Sequence, residues 1–380
     1  MENLHVVLNN FTHASRTLKQ VRTIASLPGI DNVYVAALHN VKLKTKEKIS
    51  EKIFLNRFKL RTRGLNKSLL FQVIKYIEFT FKILIFYRKK KIKIINVHSL
   101  SLLPLCYLFK LIYQTKLIYD PHELETEASN LQGFRKKLSK LIEFLLIKRV
   151  DHIFVVSENI ADWYKKNYNI PRPTVVFNVP MASNKKNTNY LRNTLHLRKD
   201  QIIILYQGGL VAGRGINLLS EAFKKRTNDK VVIVFMGYGE FERKIQSDSK
   251  LYNNIFFHEA VSPDMVLNYT ASADVGIALI ENTCLSYNFC MPNKLFEYAM
   301  CGLPVIVSNM IEMSNFVKTH QMGVIIKNDS VENVNFTIDK LLSLDLNKLK
   351  QNAKKAALAN SWENQEKKMI SVYQKFLKRA

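Results

Sequence analysis

The 380-residue chain is 47% hydrophobic and 23% charged, a balance that excludes a disordered or fibrous protein and suits two domains with a sizeable core. Its formal net charge of +26 calls for an anionic partner, either a nucleic acid or an anionic membrane surface. The four cysteines (Cys106, Cys284, Cys290, Cys301) show no Cys-x-x-Cys spacing and read as free thiols of a reducing cytosol.

Val6-Val-Leu8 is a short strand-like run, with nothing around it of a secretory signal peptide. Asn9, Asn10, His13, Ser15 and Arg16 follow in the turn toward a helix, and Val33-Tyr-Val35 is a second strand. Residues 42–93 hold 17 Lys or Arg against three acids, a local charge of +14. Within them, the apolar run Leu69 to Tyr87 is interrupted by Gln72, Lys75, Glu78 and Lys82 at helical spacing. That run is too charged to span a bilayer comfortably. It fits an interfacial helix whose lysines meet anionic headgroups, or a core helix of the first domain with a solvated basic rim. No nucleic-acid motif accompanies the charge, and the aromatics sit in apolar runs, so nucleic acid is not expected as a partner.

Ile92 to Val97 and Leu117-Ile-Tyr119 read as buried parallel strands, with His98 and His122 just past their carboxyl ends. Glu123, Glu125 and Glu127 at alternate positions suit a base or metal cluster, or simply the acids of a helical first turn. Ile153 to Val156 and Thr174 to Asn178 complete a first α/β domain, 1–180. The polar stretch 181–200 reads as a linker.

In the second half, the strand-like Ile202-Ile-Ile-Leu-Tyr206 runs into Gln207-Gly-Gly-Leu-Val-Ala-Gly-Arg-Gly215 and an amphipathic helix. Strand, glycine-rich turn and helix let backbone amides approach a phosphate closely, and Arg214 at the helix mouth can bind two of its oxygens. Phe235-Met-Gly-Tyr-Gly239 follows a further strand. The segment Met291-Pro-Asn-Lys-Leu-Phe-Glu-Tyr298 opens another helix, whose N-terminal amides and Lys294 again suit an anion. Glu297, one turn on, suits a sugar diol; a plain helix cap with surface charges is the bland alternative.

These motifs together resemble retaining glycosyltransferases of family 4. The segments that carry the likeness are Gly208 to Gly215 with the following Leu-Leu-x-x-Ala-Phe, Phe235 to Gly239, Tyr269 to Asp274, Pro292 to Tyr298, Gly302 to Ile306 and the Trp362…Tyr373 helix. The resemblance implies an α/β protein of the GT-B fold, two Rossmann-like parallel-sheet domains facing across a cleft. It assigns 1–180 to the acceptor, 201–360 to a nucleotide-sugar, and 361–380 to a helix packing back on the first domain. It further implies donor contacts by Gly208, Gly209, Arg214, Gly215, Gly237, Gly239, Asn293, Lys294 and Leu295, with Glu297 on the ribose. His122 is placed near the donor sugar and the acceptor beside Asn10, Ser15, Arg16, His98 and Glu123. Two departures stand out: Phe289 where many members have a glutamate, and Gly209 where many have an arginine. Both occur together in one type of family sequence.

The expectation is therefore a cytoplasmic enzyme, peripheral on the inner face of the membrane, that moves a sugar from a UDP- or GDP-sugar to a glycan or glycolipid with retention. His122, Arg214 and Lys294 carry the chemistry. Neither metal nor cofactor is expected: two cations and two helix N-termini face the diphosphate, and no Asp-x-Asp pair occurs. A GT-B sugar-nucleotide epimerase and a non-catalytic membrane scaffold are the alternatives.

Overall fold

The computed structural model describes every residue except 13, 67, 184–187, 379 and 380. The chain divides into two compact units, Met1–Val176 with Glu366–Ala380, and Phe177–Gln365. The stretch 181–200, expected as a linker, counts with the second unit, where Tyr190–Thr194 forms a short helix.

In the first unit an eight-stranded sheet has the order β3-β4-β2-β1-β5-β6-β7-β8. Its strands are β1 (Glu2–Val6), β2 (Asn32–Leu38), β3 (Lys46–Ser50), β4 (Ile53–Phe58), β5 (Ile92–Val97), β6 (Lys116–Tyr119), β7 (His152–Val155) and β8 (Thr174–Val175). The central strands are almost wholly buried on both faces, as strands covered by helices on either side must be, with Asn3, His5 and Asn96 as buried polar exceptions to their apolar lining. All pairs are parallel except β3 with β4. The exposed edge β3 carries Lys46, Glu47 and Lys48, charges that blunt an open edge. This hairpin lies inside the basic stretch, where the density of lysines hid both strands from the sequence pattern.

The crossovers β4 to β5, β5 to β6 and β6 to β7 all run in one direction across the sheet. Right-handed connection therefore puts helices Leu69–Tyr87, Leu103–Tyr113 and Gly133–Ile147 on the same side. They adjoin one another: the Tyr76 hydroxyl accepts from Leu105 N at 2.8 Å, the Tyr113 hydroxyl donates to Leu84 O at 2.9 Å, and Leu103–Tyr113 packs against Gly133–Ile147. Helix Ser15–Ala25 crosses the other way and covers the opposite face. The C-terminal part of helix Trp362–Leu377 joins this unit. There the Tyr373 hydroxyl bonds to Asn96 Oδ1, and Thr23 donates to Glu366 at 2.7 Å.

The second unit holds a six-stranded parallel sheet of order β11-β10-β9-β12-β13-β14. It comprises β9 (Ile202–Gly209), β10 (Val231–Tyr238), β11 (Ile255–Glu259), β12 (Val275–Ala278), β13 (Val305–Ser308) and β14 (Gly323–Ile326). That is the Rossmann order 3-2-1-4-5-6, whose direction reverses between β9 and β12. Ligands bind such sheets outside the carboxyl ends of the strands at that reversal. In the first sheet the corresponding reversal lies between β1 and β5.

Candidate functional site

The second unit gathers its candidate residues at the carboxyl end of β9. Gly215 adopts a left-handed conformation (φ 66°) that turns the chain into helix Ile216–Lys224, and a Cβ there would lie 2.6 Å from Leu279 Cβ. No side chain caps that helix, nor helix Asn293–Met300, so both present backbone N–H groups. Gly237 allows β10 to close on β9: a Cβ there would fall 1.9 Å from Gly208 O. Gly209 has room around it, its nearest neighbour being the Val211 side chain.

Lys294 reaches across to the end of β9, its Nζ 3.8 Å from the centroid of the Tyr206 ring and beside Gly208. Desolvation and the nearby charge of Arg214 pull its ammonium pKa down to about 7, with Glu297 acting in the opposite direction. Arg214 lies with its guanidinium carbon 4.7 Å from the centroid of Tyr287. Cys290 sits within the field of both cations; burial nevertheless pushes its thiol up to about 12, which favours the protonated form near neutral pH. Arg214 and Lys294 thus stand within electrostatic reach of each other near the reversal point, each at the start of one of these helices.

Glu297 is held rather than loose: Gln207 Nε2 donates to its carboxylate, and Gln207 Oε1 accepts from Thr270 at 2.7 Å. Leu295 is fully buried and anchors its helix, whereas Asn293 is exposed at the helix start. Gly239 packs against Leu210 at the rim. Phe289 ends the short helix Leu285–Asn288. Two residues the sequence pattern missed shape the turn: Glu281 accepts from Gly215 N at 3.2 Å, and Glu240 accepts from Ala212 N. Both stand just past strand ends, but acids on loops carry no local signal of the amides they meet.

The first unit assembles a different cluster around Asp120, just beyond β6. Arg16, 3% exposed, grips it with Nη2 at 2.6 Å from Oδ1 and Nε at 3.2 Å from Oδ2, and spends Nη1 on Val176 O at 2.7 Å. Gln20 Nε2 donates to Oδ2 at 2.7 Å. His98 Nδ1 lies 3.3 Å and His122 Nε2 3.7 Å from the same oxygen. Burial alone would raise the Asp120 pKa, but the Arg16 charge and these hydrogen bonds hold it well below the usual carboxylate range. Burial lowers the pKa of His98 and, further still, of His5, whose Nδ1 lies 2.8 Å from His98 Nε2. Both rings are neutral near pH 7. His98 Nδ1–H then donates to Asp120 and His5 Nδ1–H to His98, which leaves His5 Nε2 as a bare acceptor, consistent with its having no partner.

The sequence-derived acceptor residues therefore divide. His98 and His122 are neighbours, 3.3 Å apart through ring nitrogens, and the His122 side chain is 41% exposed. Arg16 is instead a buried strut that positions Asp120. Asn10 caps its own loop, accepting from Thr12 N and Oγ1, and Ser15 is exposed at its helix start. Glu123 lines a cavity of about 470 Å³ together with Tyr76, Glu125, Arg135 and Leu138. Glu123 and Glu125 share this cavity, and Glu127 is turned to other partners. Glu125 receives Leu100 N on both oxygens and is pushed by burial up to about 8, while Glu127 pairs with Lys136 and Lys140. His13 lies outside the described residues.

Among the described residues, His98, Asp120 and His122 have ligand atoms close enough to share a metal ion, all within 4.8 Å. Both Asp120 oxygens already accept from Arg16, and a guanidinium at 2.6 Å opposes a divalent cation there.

Residues 33–179 match the family described as Glycosyltransferase Family 4, and residues 187–358 the one described as Glycosyl transferases group 1. The chain is 24% identical over 298 residues to chitobiosyldiphosphodolichol beta-mannosyltransferase of Candida albicans, covering 71% of this chain and 64% of that protein. It is 25% identical over 231 residues to lipopolysaccharide 1,2-N-acetylglucosaminetransferase of Salmonella typhimurium, covering 56% and 59%. The chain thus spans about three fifths of the length of these curated relatives. Among solved structures, sucrose-phosphate synthase from Thermosynechococcus elongatus aligns with a TM-score of 0.81 at 15% identity over 100% of both chains. HepE of Anabaena in complex with UDP-glucose aligns at 0.75 and 13%, over 99% of this chain and 100% of that one. At such identities the likeness is one of fold, the GT-B fold of two parallel-sheet α/β domains.

Proposed function

We propose, for a chain built of a glycosyl transferases group 1 domain and a glycosyltransferase family 4-like domain, that it transfers a sugar from a nucleotide-sugar to a glycan acceptor. The proximity of Arg214, Lys294 and two helix N-termini near the β9/β12 reversal carries this assignment. Breaking the anomeric C–O bond leaves charge on the departing diphosphate, so stabilising that charge is the main electrostatic task. A guanidinium, an ammonium and N–H groups already in place suit it without a metal. Glu297, steadied by Gln207, would take the ribose hydroxyls of a UDP- or GDP-sugar. Retention of configuration rests on the family 4 resemblance, and an NMR assay of the product anomer tests it. His122, exposed beside Asp120, is the proposed first-unit contribution near the sugar. A lipid-linked acceptor and a peripheral place on the cytoplasmic membrane face are proposed from the basic, apolar stretch 67–93.

Calorimetry with UDP and GDP tests the donor site. Micromolar binding of either is expected, and binding of neither refutes it. Arg214→Ala is expected to weaken that affinity by about 1.5–3 kcal/mol, the worth of a hydrogen bond to a charged group; an unchanged affinity removes Arg214 from the site. His122→Ala should leave nucleotide binding intact and lower turnover with a donor and acceptor by about a hundredfold, the low end for positioned proton-transfer groups. Full activity would take His122 out of the chemistry. A product assay without acceptor separates transfer from epimerisation.

A further inference from the structure

Helices Leu69–Tyr87 and Gly133–Ile147 each expose an apolar stripe in addition to the residues they bury. In a surface helix of a soluble protein the apolar stripe faces the core and the charges face water. In Leu69–Tyr87 the core-facing side is Phe79, Thr80, Ile83, Leu84 and Tyr87, while the charged stripe lies along its flank against loop 59–66: Lys75 Nζ donates to Leu65 O at 2.7 Å and Asn66 O at 3.1 Å, and Glu78 accepts from Arg61 N and Thr62 N at 2.8 and 2.9 Å. A second apolar stripe, Leu70, Val73, Ile77, Phe81 and Ile85, is exposed. The lysines expected to meet headgroups are thus occupied by backbone carbonyls, and an apolar stripe faces outward.

Gly133–Ile147, which has no such signal in its sequence, goes further. Its carboxylate Glu143 is wholly buried and accepts from the hydroxyls of Tyr164 and Tyr168 at 2.6 Å and Tyr119 at 3.2 Å. Phe134, Leu138, Leu141, Phe144 and Leu145 are 38–68% exposed. Helix Leu103–Tyr113, between these two, adds Leu108, Leu111 and Ile112. Three adjoining helices on one side of one sheet therefore turn aliphatic and phenylalanine side chains outward. Scattered exposed apolar residues are ordinary; a continuous field of them marks an interaction surface.

We infer that this three-helix face docks on an anionic lipid bilayer, with helix Gly133–Ile147 as its main inserting element. The inference builds on the membrane-surface role proposed above and names the surface responsible. Charge favours lipid over a protein partner: exposed basic residues stand at the carboxyl ends of two of the helices, Arg88 and Lys89 on one and Lys148 and Arg149 on the other. The exposed apolar residues of the face are Leu, Ile, Val and Phe, with no Trp or Tyr among them. No described helix is long and apolar enough to cross a membrane, so the face would lie in the interface and not span it. The cavity lined by Arg135 and Leu138 opens beside the same helix, where a lipid-borne acceptor would arrive.

Sedimentation of the full chain with vesicles of phosphatidylglycerol and phosphatidylcholine, at low salt, tests this. The wild type is expected to pellet with the mixed vesicles and at least tenfold less with pure phosphatidylcholine. Leu141→Glu with Phe144→Glu should reduce vesicle binding at least tenfold while UDP calorimetry and the circular dichroism spectrum and thermal unfolding of the chain stay unchanged, the last two showing that the variant is folded. Should that variant not fold, hydrogen exchange of the wild-type chain replaces it: residues 133–147 should gain protection on vesicles. The inference is overturned by a wild type that stays in the supernatant, by a variant that pellets equally, or by no added protection. A concentration-dependent dimer abolished by the same variant would also overturn it, since a second copy would then cover the face. UDP binding without vesicle binding sinks this inference alone; vesicle binding without UDP binding sinks the donor site alone.

Discussion

Replacing Asp120 by alanine is expected to destabilise the first unit by about 3–5 kcal/mol, because it strands a buried guanidinium. Arg16 and Asp120 are 3% and 2% exposed at their side chains, and Gln20 would lose its acceptor at the same time. Removing both charges together should cost much less: Arg16→Met with Asp120→Leu fills similar volume and leaves no orphaned charge. Urea denaturation of the three proteins measures this, and a loss below about 1 kcal/mol for the single variant would show that the pair is not the strut described. The pH dependence follows in sign. Asp120 has a folded pKa below its unfolded one, so its contribution is complete above the ordinary carboxylate range and disappears only as pH falls through the lowered folded value.

Nucleotide affinity is expected to fall by roughly two orders of magnitude between pH 6 and pH 9, because the Lys294 ammonium, proposed to meet the diphosphate, titrates near pH 7. Desolvation and Arg214 favour neutral Lys294 in the empty site, whereas a bound diphosphate demands the charged form. Above pH 7, binding must then take up a proton, and each further unit weakens it about tenfold until the complex itself titrates. Lys294→Met keeps the stem over Tyr206 but removes the charge; it should bind UDP weakly at every pH and lose this slope. Calorimetry across the pH range decides the point, and an equal slope in the variant would assign the titration elsewhere. The apo protein should show the converse. A lysine whose folded pKa is depressed costs stability below that value, and the cost is relieved as pH rises from about 7 to its unfolded value near 10.

The proposed donor site is legible in the sequence because its determinants are local. A strand, a glycine-rich turn and a helix start lie within residues 202–223, and Pro292-Asn-Lys294 opens a helix by itself. Each segment specifies its own backbone, so the residue types alone announce amides and cations suited to a phosphate. Alternating strands and helices likewise implied two parallel-sheet domains, since apolar runs of that length must be covered on both faces.

Only the tertiary structure decided which way side chains point and whom they meet. Arg16 looks like a ligand for an acceptor until the fold brings Asp120, 104 positions away, onto its guanidinium. Gln207 and Thr270 steady Glu297 from two other elements. Periodicity shows that helix Leu69–Tyr87 has two sides but cannot say which is inward, and in Gly133–Ile147 the choice is made by three tyrosines from β6 and helix Glu158–Tyr168 that meet Glu143. A sequence fixes the pattern of a face through local geometry; the direction of that face depends on partners that only folding brings within hydrogen-bonding range.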